Sequence, residues 1–380
     1  MDFTLDDVQA AVQATARAYA REKLLPTAAA RDRAERFAVE ETRGLAALGL
    51  QAVAVPAELG GAGAGSVAYA VAIMELAAAD CAVTVGTGVT NMVGEVIARY
   101  GTEEQRRRCC PRLASGEWLA GAFGLSEPQA GSDPAALRTR AELREGRWIL
   151  NGEKQWITSG DVAGVTVVWA RTDPGAGARG ISAFLVEQGT PGFTVGKHEA
   201  KMGQRASSTV PLVFEDCAVP QSALLGTRGD GLKIALSALD GGRIGIGAQA
   251  VGVMTAALEA SSRYARDRQA FGKPLAGHQA IQFMLADMQT ERDAARLLVL
   301  RAAALKDAGR PYGREAAMAK LFASEAAQRA VLKAVQIHGG YGYTAEFPVE
   351  RLLRDARVQT IYEGTSEVQR LVIARDLLKA

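Results

Sequence analysis

Chemistry concentrates in the run from Gln336 to Gln369, QIHGGYGYTAEFPVERLLRDARVQTIYEGTSEVQ. It joins a glycine-rich turn to a lone glutamate, Glu363, set between Tyr362 and Gly364. Glycines let backbone amides approach a phosphate closely, and a carboxylate in an apolar setting gains affinity for a proton. The run therefore offers a cofactor clamp and a general base. His338 lies inside the turn with no serine, cysteine or second histidine pattern beside it, so it reads as structural.

Other segments carry weaker signals. Gly124 to Asp133, GLSEPQAGSD, packs Ser126, Glu127 and Ser132 around Pro128. Such a loop can give hydroxyls and amides to a polar ring or a phosphate, although a plain turn uses the same residues. Trp156-Ile157-Thr158 sets a flat ring beside a hydroxyl, a surface for a heteroaromatic cofactor or for core packing. Asp240 and Arg243 lie three apart in LDGGR, on one face of a helix, as a binding pair or a surface ion pair. Gly241, Gly242, Gly245, Gly247 and Gly252 follow closely. Each costs a helix about 1 kcal/mol relative to alanine, so close packing or a ligand must compensate. GIGAQA formally matches a dinucleotide fingerprint, but no strand precedes it and that fold is rejected. Arg268 stands between a long helix and a turn, where its fork suits a diphosphate or the helix dipole. His278-Gln279 opens the next helix, the histidine as a cap-region residue.

The elements that position these residues follow from periodicity. Apolar positions from Leu5 to Tyr19 predict an N-terminal amphipathic helix ending near Pro26. Helical texture continues to about Ser115, with a capping box at Thr102 and Gln105, and Cys109-Cys110 closing a helix before Pro111. Beyond Gly116, Trp148-Ile149-Leu150 and Gln155-Trp156-Ile157 read as two strands around an Asn151-Gly152 turn. VTVVWA from Val165, ISAFLVE from Ile181 and TVPLVFED from Thr209 have strand length. Helices return at roughly 231 to 266, 278 to 307 and 312 to 338, with a last one from about Ser366, and should pack as a bundle. The order is α, β, α: a helical domain over 1–120, a β domain over 121–230 and a helical domain over 231–380.

Composition narrows the function. With 380 residues, 48% of them hydrophobic, the chain can bury a large core. Forty-four basic against 42 acidic residues leave a formal charge of +2, with no field that recommends nucleic acid or a membrane surface. The four cysteines have neither CxxC spacing nor histidine partners, so neither metal nor a disulfide framework is expected. Acids near the start, where a secretory signal needs basic residues, lead to a cytoplasmic expectation.

Gln336, Gly339, Gly340, Gly342, Tyr343 and Pro348 reproduce QxxGGxGYxxxxP, and LSEPQAGSD is a second long pattern. With WIT, LDxxR, RxxFG, HQ and YEGTSE in the same order, the whole chain resembles the acyl-CoA dehydrogenase family, most closely its short-chain, butyryl-CoA-type branch. The resemblance implies an α+β fold: an N-terminal helical domain, a middle β-barrel domain and a C-terminal four-helix bundle, with FAD, in a homotetramer. It implies that Ser126 meets the flavin pyrimidine, Trp156 lies against the ring and Thr158 faces N5, with Phe123, Leu125, Ser132 and Ile157 also at the cofactor. Arg268, Phe271, Gln279, Gln336, Gly339 and Gly340 would hold a neighbouring subunit's flavin, and Thr365, Ser366 and Glu367 would bind FAD as well. Ser132, Asp240, Arg243, Tyr362 and Gly364 would line the acyl-CoA channel. Glu363 would take the α proton while a β hydride leaves, giving the trans-2-enoyl-CoA in fatty-acid or branched-chain amino-acid catabolism. Electrons would pass to electron-transfer flavoprotein. Some relatives carry the base at the position of Gly242; the glycine there, with Glu363 present, favours the common arrangement. The alternatives are a flavin oxidase or monooxygenase of the same fold, on an acyl-carrier-bound or non-acyl substrate, and a non-enzymatic scaffold, which an intact Glu363, Trp156 and Thr158 argue against.

Overall fold

The computed structural model describes residues 4–378. Helix α1 spans Asp7–Tyr19 behind a reciprocal Asp6–Gln9 capping box and runs on through tighter and wider turns to Pro26 before α2, Ala28–Ala34. After α3, Val39–Ala47, comes α4, Gly65–Ala79, which is apolar nearly all round and accordingly buried. Helix α5, Cys81–Tyr100, starts at the cap Asp80, whose carboxylate accepts from the Ala82 and Val83 amides. Helix α6, Glu103–Ser115, opens on the Thr102–Gln105 capping box that the sequence predicts. It does not stop at Cys110: it continues through Pro111 and ends at Gly116, which takes the left-handed conformation at φ +74°. Proline removes one helical hydrogen bond, and here packing of Cys109, Cys110 and Leu113 in one buried cluster keeps the helix intact.

The middle of the chain forms β1, Ala120–Gly124; β2, Arg140–Arg144; β3, Arg147–Thr158; β4, Ala163–Arg171; β5, Ile181–Glu187; β6, Phe193–Val195; β7, Thr209–Pro220; and β8, Leu224–Leu225. They make one sheet in the order β6-β7-β3-β2-β4-β5-β8, with β1 added in parallel beside β4. The halves meet where β2 touches β4 at Arg140 and Arg171, and the sheet curls around Trp148, Phe184, Val186 and Phe214. Asn151-Gly152 is not a turn. One strand passes straight through it, with a register shift against β7, because Gly152, at φ +149°, lies so close to Thr139 that a Cβ would come within 2.6 Å of its Cα. The hairpin turn is instead Glu145-Gly146, both left-handed at φ +48° and +74°, joining β3 to the unforeseen β2.

Helix α7, Gly231–Asp267, leads through a short hairpin, β9 Gln269–Ala270 and β10 Lys273–Pro274, to α8, Gln279–Asp307, and α9, Gly313–His338. Helices α7, α8 and α9 pack together, and the last helix, α11, Ser366–Leu377, lies on α9. Between them the structure inserts α10, Val349–Arg357, where no helix is expected from the sequence. Helix α4 docks on α7, where Gly252 allows the approach: a Cβ there would stand 2.7 Å from the Ala77 side chain. Helices α5 and α7 are long and apolar enough to cross a membrane, yet 78% of each apolar window is buried in protein.

Candidate active site

Helix α10, a short turn over Val358–Thr360 and the cap of α11 frame the loop that carries Glu363. The Ile361 and Tyr362 amides both donate to the Val358 carbonyl, at 2.8 and 3.1 Å. Glu363 and Gly364 then take left-handed conformations, φ +55° and +89°, and Thr365 caps α11 by accepting from the Val368 amide. This backbone turns the carboxylate toward α7 at Gly242, where an added Cβ would come within 2.8 Å of Glu363 Cδ. Glu363 Oε2 is buried without a hydrogen-bond partner. Burial pushes the carboxyl up to about 7, against partial opposition from the cations Arg243 and Lys320. A buried carboxylate with an unpartnered oxygen and raised proton affinity can take up a proton near neutral pH.

Beyond the carboxylate lies a small pocket between α4, α5 and α7, lined by Tyr69, Val85, Gly88, Gly245, Ile246 and Gln249. Tyr69 forms part of its wall: a Cβ on Gly245 would be 2.5 Å from its hydroxyl and one on Gly88 3.2 Å, so both glycines make room for the side chain. The neighbouring Tyr362 hydroxyl donates to Gln249 Oε1 and accepts from Gln204 Nε2, while the Gln249 amide donates to the Cys81 carbonyl at 3.0 Å. The Glu363 loop is thereby tied to the first helical domain, the β domain and α7. Arg243 pairs with Asp240 but is itself buried, which makes this more than a surface ion pair, and its Nε has no partner.

The loop Gly124 to Asp133 is built on a buried ion pair. Lys154 Nζ donates to Glu127 Oε1 at 2.7 Å, both residues almost inaccessible, and Glu127 also accepts from the Arg138 and Thr139 amides at 2.6 and 3.0 Å. These donors hold the Glu127 carboxyl down near 2, while burial lowers Lys154 to about 8. The Gln155 amide donates to the Ser126 carbonyl at 2.9 Å, which sets Ser126 beside the end of β3. There Trp156, at φ +64°, presents its ring outward, 61% exposed, next to half-buried Thr158. Ile157 and Leu125 are buried in the core, and Phe123 packs 4.2 Å from Trp169. Ser132 is exposed.

A second region gathers around the end of α9. Arg268, Tyr264, His338, Gly339, Gly340 and Tyr341 line one pocket, in which nothing lies within 4 Å of a Cβ built on either glycine. Arg268 sits 5.8 Å over the Tyr341 ring. Gln336, Gln279 and Phe271 are exposed, Phe271 to 96%. His338 is buried against Tyr264 with Nδ1 at the Ala334 carbonyl, which makes it a packing residue. His278 caps α8 without a side-chain cap bond. Neither Glu363 nor Trp156 lines this pocket.

The residues present fit FAD. An outward aromatic ring flanked by Ser126 and Thr158 suits a flat heterocycle, and the orphaned, buried Ser366 Oγ at the start of α11 awaits a polar partner where anions are favoured. No metal-ligating cluster occurs among the described residues. Tyr69, Gln204, Gln249, Lys154 and Lys320 are not singled out by the sequence; of them Lys154, two residues before Trp156, and Gln249, inside GIGAQA, lie next to or within a motif.

Residues 6–117, 122–217 and 229–378 match family models described as the N-terminal, middle and C-terminal domains of acyl-CoA dehydrogenase. An acryloyl-CoA reductase (NADH) from Anaerotignum propionicum is 46% identical over 381 residues, covering 100% of this chain and 96% of that protein. The solved structure of butyryl-CoA dehydrogenase from Megasphaera elsdenii superposes with a TM-score of 0.98 at 43% identity, covering 100% of both chains. A chain in a structure of the electron transferring flavoprotein of Acidaminococcus fermentans gives 0.99 at 44%, again over 100% of both.

Proposed function

The chain belongs to the acyl-CoA dehydrogenase family of FAD-dependent oxidoreductases acting on CH–CH bonds, and we propose that it desaturates a short acyl-CoA thioester with Glu363 as the base. The observation that carries this reading is the Glu363 carboxylate itself, buried, without a partner on Oε2 and facing the gap left by Gly242. Oε2 takes the α proton. An α carbon is a weak acid, so the thioester oxygen needs a donor, and the Glu363 amide donates to no protein acceptor among the described residues. Arg243 and Asp240 lie beside this site on α7 and would line the thioester channel with Ser132, Tyr362 and Gly364. FAD, when bound, supplies the acceptor for the β hydride. Ser126, Trp156, Thr158, Arg268, Gln279, Gln336, Gly339, Gly340 and Thr365 to Glu367 would hold it, with Phe123, Leu125 and Ile157 contributing backbone rather than side chain.

A short substrate is supported by the small size of the pocket that Tyr69 helps to line, and by the likeness to butyryl-CoA dehydrogenase. Electron-transfer flavoprotein as acceptor is supported by the likeness to a chain from such a flavoprotein's structure. The separation of the Arg268–Gly340 pocket from Glu363 supports a homotetramer in which one subunit's pocket serves its neighbour's flavin. Four free, buried thiols support a cytoplasmic location. A second reading, reduction of a 2-enoyl thioester at the same site, is favoured by the relative named acryloyl-CoA reductase.

Anaerobic titration with straight and branched acyl-CoA thioesters, followed by flavin bleaching, tests the proposal. Bleaching should be strongest with short chains, and Glu363→Gln should keep the yellow flavin while losing on the order of 10²–10⁴ of turnover. Flavin left unbleached by every thioester would refute the substrate class. Fast reoxidation of the bleached protein in air would favour an oxidase, and retained turnover in the glutamine variant would remove Glu363 from its role.

A further inference from the structure

Two consecutive left-handed residues on a short loop need support from outside the loop, and Lys320 and Gln369 supply it. Lys320 Nζ, from within α9 and 44 residues away in sequence, donates to the Gly364 carbonyl at 2.7 Å. Gln369 Nε2 donates to the same carbonyl at 2.9 Å and to the Glu363 carbonyl at 3.2 Å. Both side chains are fully buried. The Gly364 carbonyl is the only hydrogen-bond acceptor of Lys320 among the described residues, and its surroundings on α9 include Ala316, Ala317, Ala319 and Ala323. A buried ammonium with a single acceptor is costly, and an apolar side chain would fill the same space.

We propose that Lys320 is a positioning residue for proton abstraction: by holding the Gly364 carbonyl it fixes the loop backbone from which the Glu363 carboxylate and the Glu363 amide are presented to the pocket. The inference rests on Glu363 being the base. The carbonyl receives two donors, so loss of Lys320 leaves Gln369 alone to hold a backbone that is strained for a glutamate. The lysine also acts through charge. It faces Glu363, Glu367 and Glu325, which favour its ammonium, and Arg243, which opposes it. Glu363 in turn faces Arg243 and Lys320 as its cations, and Tyr69 and Tyr362 as phenols kept protonated by burial. Removing the ammonium leaves Arg243 as the sole nearby cation, so the carboxylate should hold its proton to higher pH.

Two substitutions in the holoenzyme separate bond from charge. Lys320→Met removes both, and Lys320→Gln keeps a donor while dropping the charge. Lys320→Met should lower kcat about a hundredfold, the scale of a small misplacement of reacting groups, with KM nearly unchanged. The acid limb of its pH–rate profile should move to higher pH, and hydrogen exchange over residues 361–368 should quicken. Lys320→Gln should recover about tenfold of the lost kcat and keep the displaced limb. Wild-type flavin that no acyl-CoA bleaches would overturn the functional reading instead. With that bleaching intact and Glu363→Gln inactive, the positioning role is overturned by a wild-type kcat and acid limb in either variant. It is equally overturned by a kcat loss matched by loss of bound flavin. If the methionine variant does not fold, the kcat and acid limb of the glutamine variant decide.

Discussion

Glu363→Gln should make the protein more stable, and increasingly so as pH rises. The Glu363 carboxyl is raised from its ordinary 4.5 to about 7, chiefly by burial. For an acid whose folded value lies above its unfolded one, the folded state binds the proton more tightly. Its contribution is therefore harmless below about 4.5 and turns into a growing cost until the pH passes about 7. The full cost is about 3 kcal/mol, from 1.36 kcal/mol per factor of ten in proton affinity. At pH 5 only about 1 kcal/mol of it is present, and at pH 8 essentially all of it. Glutamine, neutral throughout, escapes the cost. Taking about 2.1 cal/mol/K per residue over 380 residues, 3 kcal/mol corresponds to about 4 °C in Tm. The assay is thermal unfolding of wild type and variant, monitored by circular dichroism from pH 5 to 8 at constant salt. The variant's advantage should widen across that range by about 2 kcal/mol, or about 3 °C. Any constant difference in packing or hydrogen bonding cancels in the slope. A pH-independent gap, or one that narrows as pH rises, would show that the carboxylate is neither held in an unfavourable setting nor tuned as a base.

Two substitutions probe the supports of the site. Gly242→Ala places a Cβ within 2.8 Å of Glu363 Cδ, so the carboxylate must swing aside; turnover should fall at least tenfold with flavin content and Tm little changed, as steady-state kinetics and absorbance would check. Lys154→Met strands Glu127 as a buried charge, which should cost about 3–5 kcal/mol and, because Glu127 organises the loop of Ser126, lower FAD content in the purified protein. Full flavin content in a folded Lys154→Met protein would contradict that role for the pair.

The order of helices, strands and helices is written in local sequence, because periodicity, capping boxes and turn residues act over a few positions. Thr102–Gln105 and the span of ISAFLVE from Ile181 are formed as the sequence predicts. Glu363 stood out because its neighbours form a motif. Local signals misled where a distant partner decided the outcome. Asn151-Gly152 has turn composition, yet the contact of Gly152 with Thr139 makes it a bulge, and Pro111 sits inside a helix that core packing maintains. Between Gln336 and Glu363 no helix is expected from the sequence; the structure builds α10 there and uses its Asp355 to accept from the Gln204 backbone amide of the β domain. Glu363 could be named as a candidate base from the chain alone, but its proton affinity could not be read there. Whether a carboxylate is solvated or buried, and whether Lys320, Arg243, Tyr69 and Gln204 stand around it, depends on side chains brought together from three domains. Desolvation and Coulomb interaction are properties of that assembly, set by distances that sequence separation does not encode.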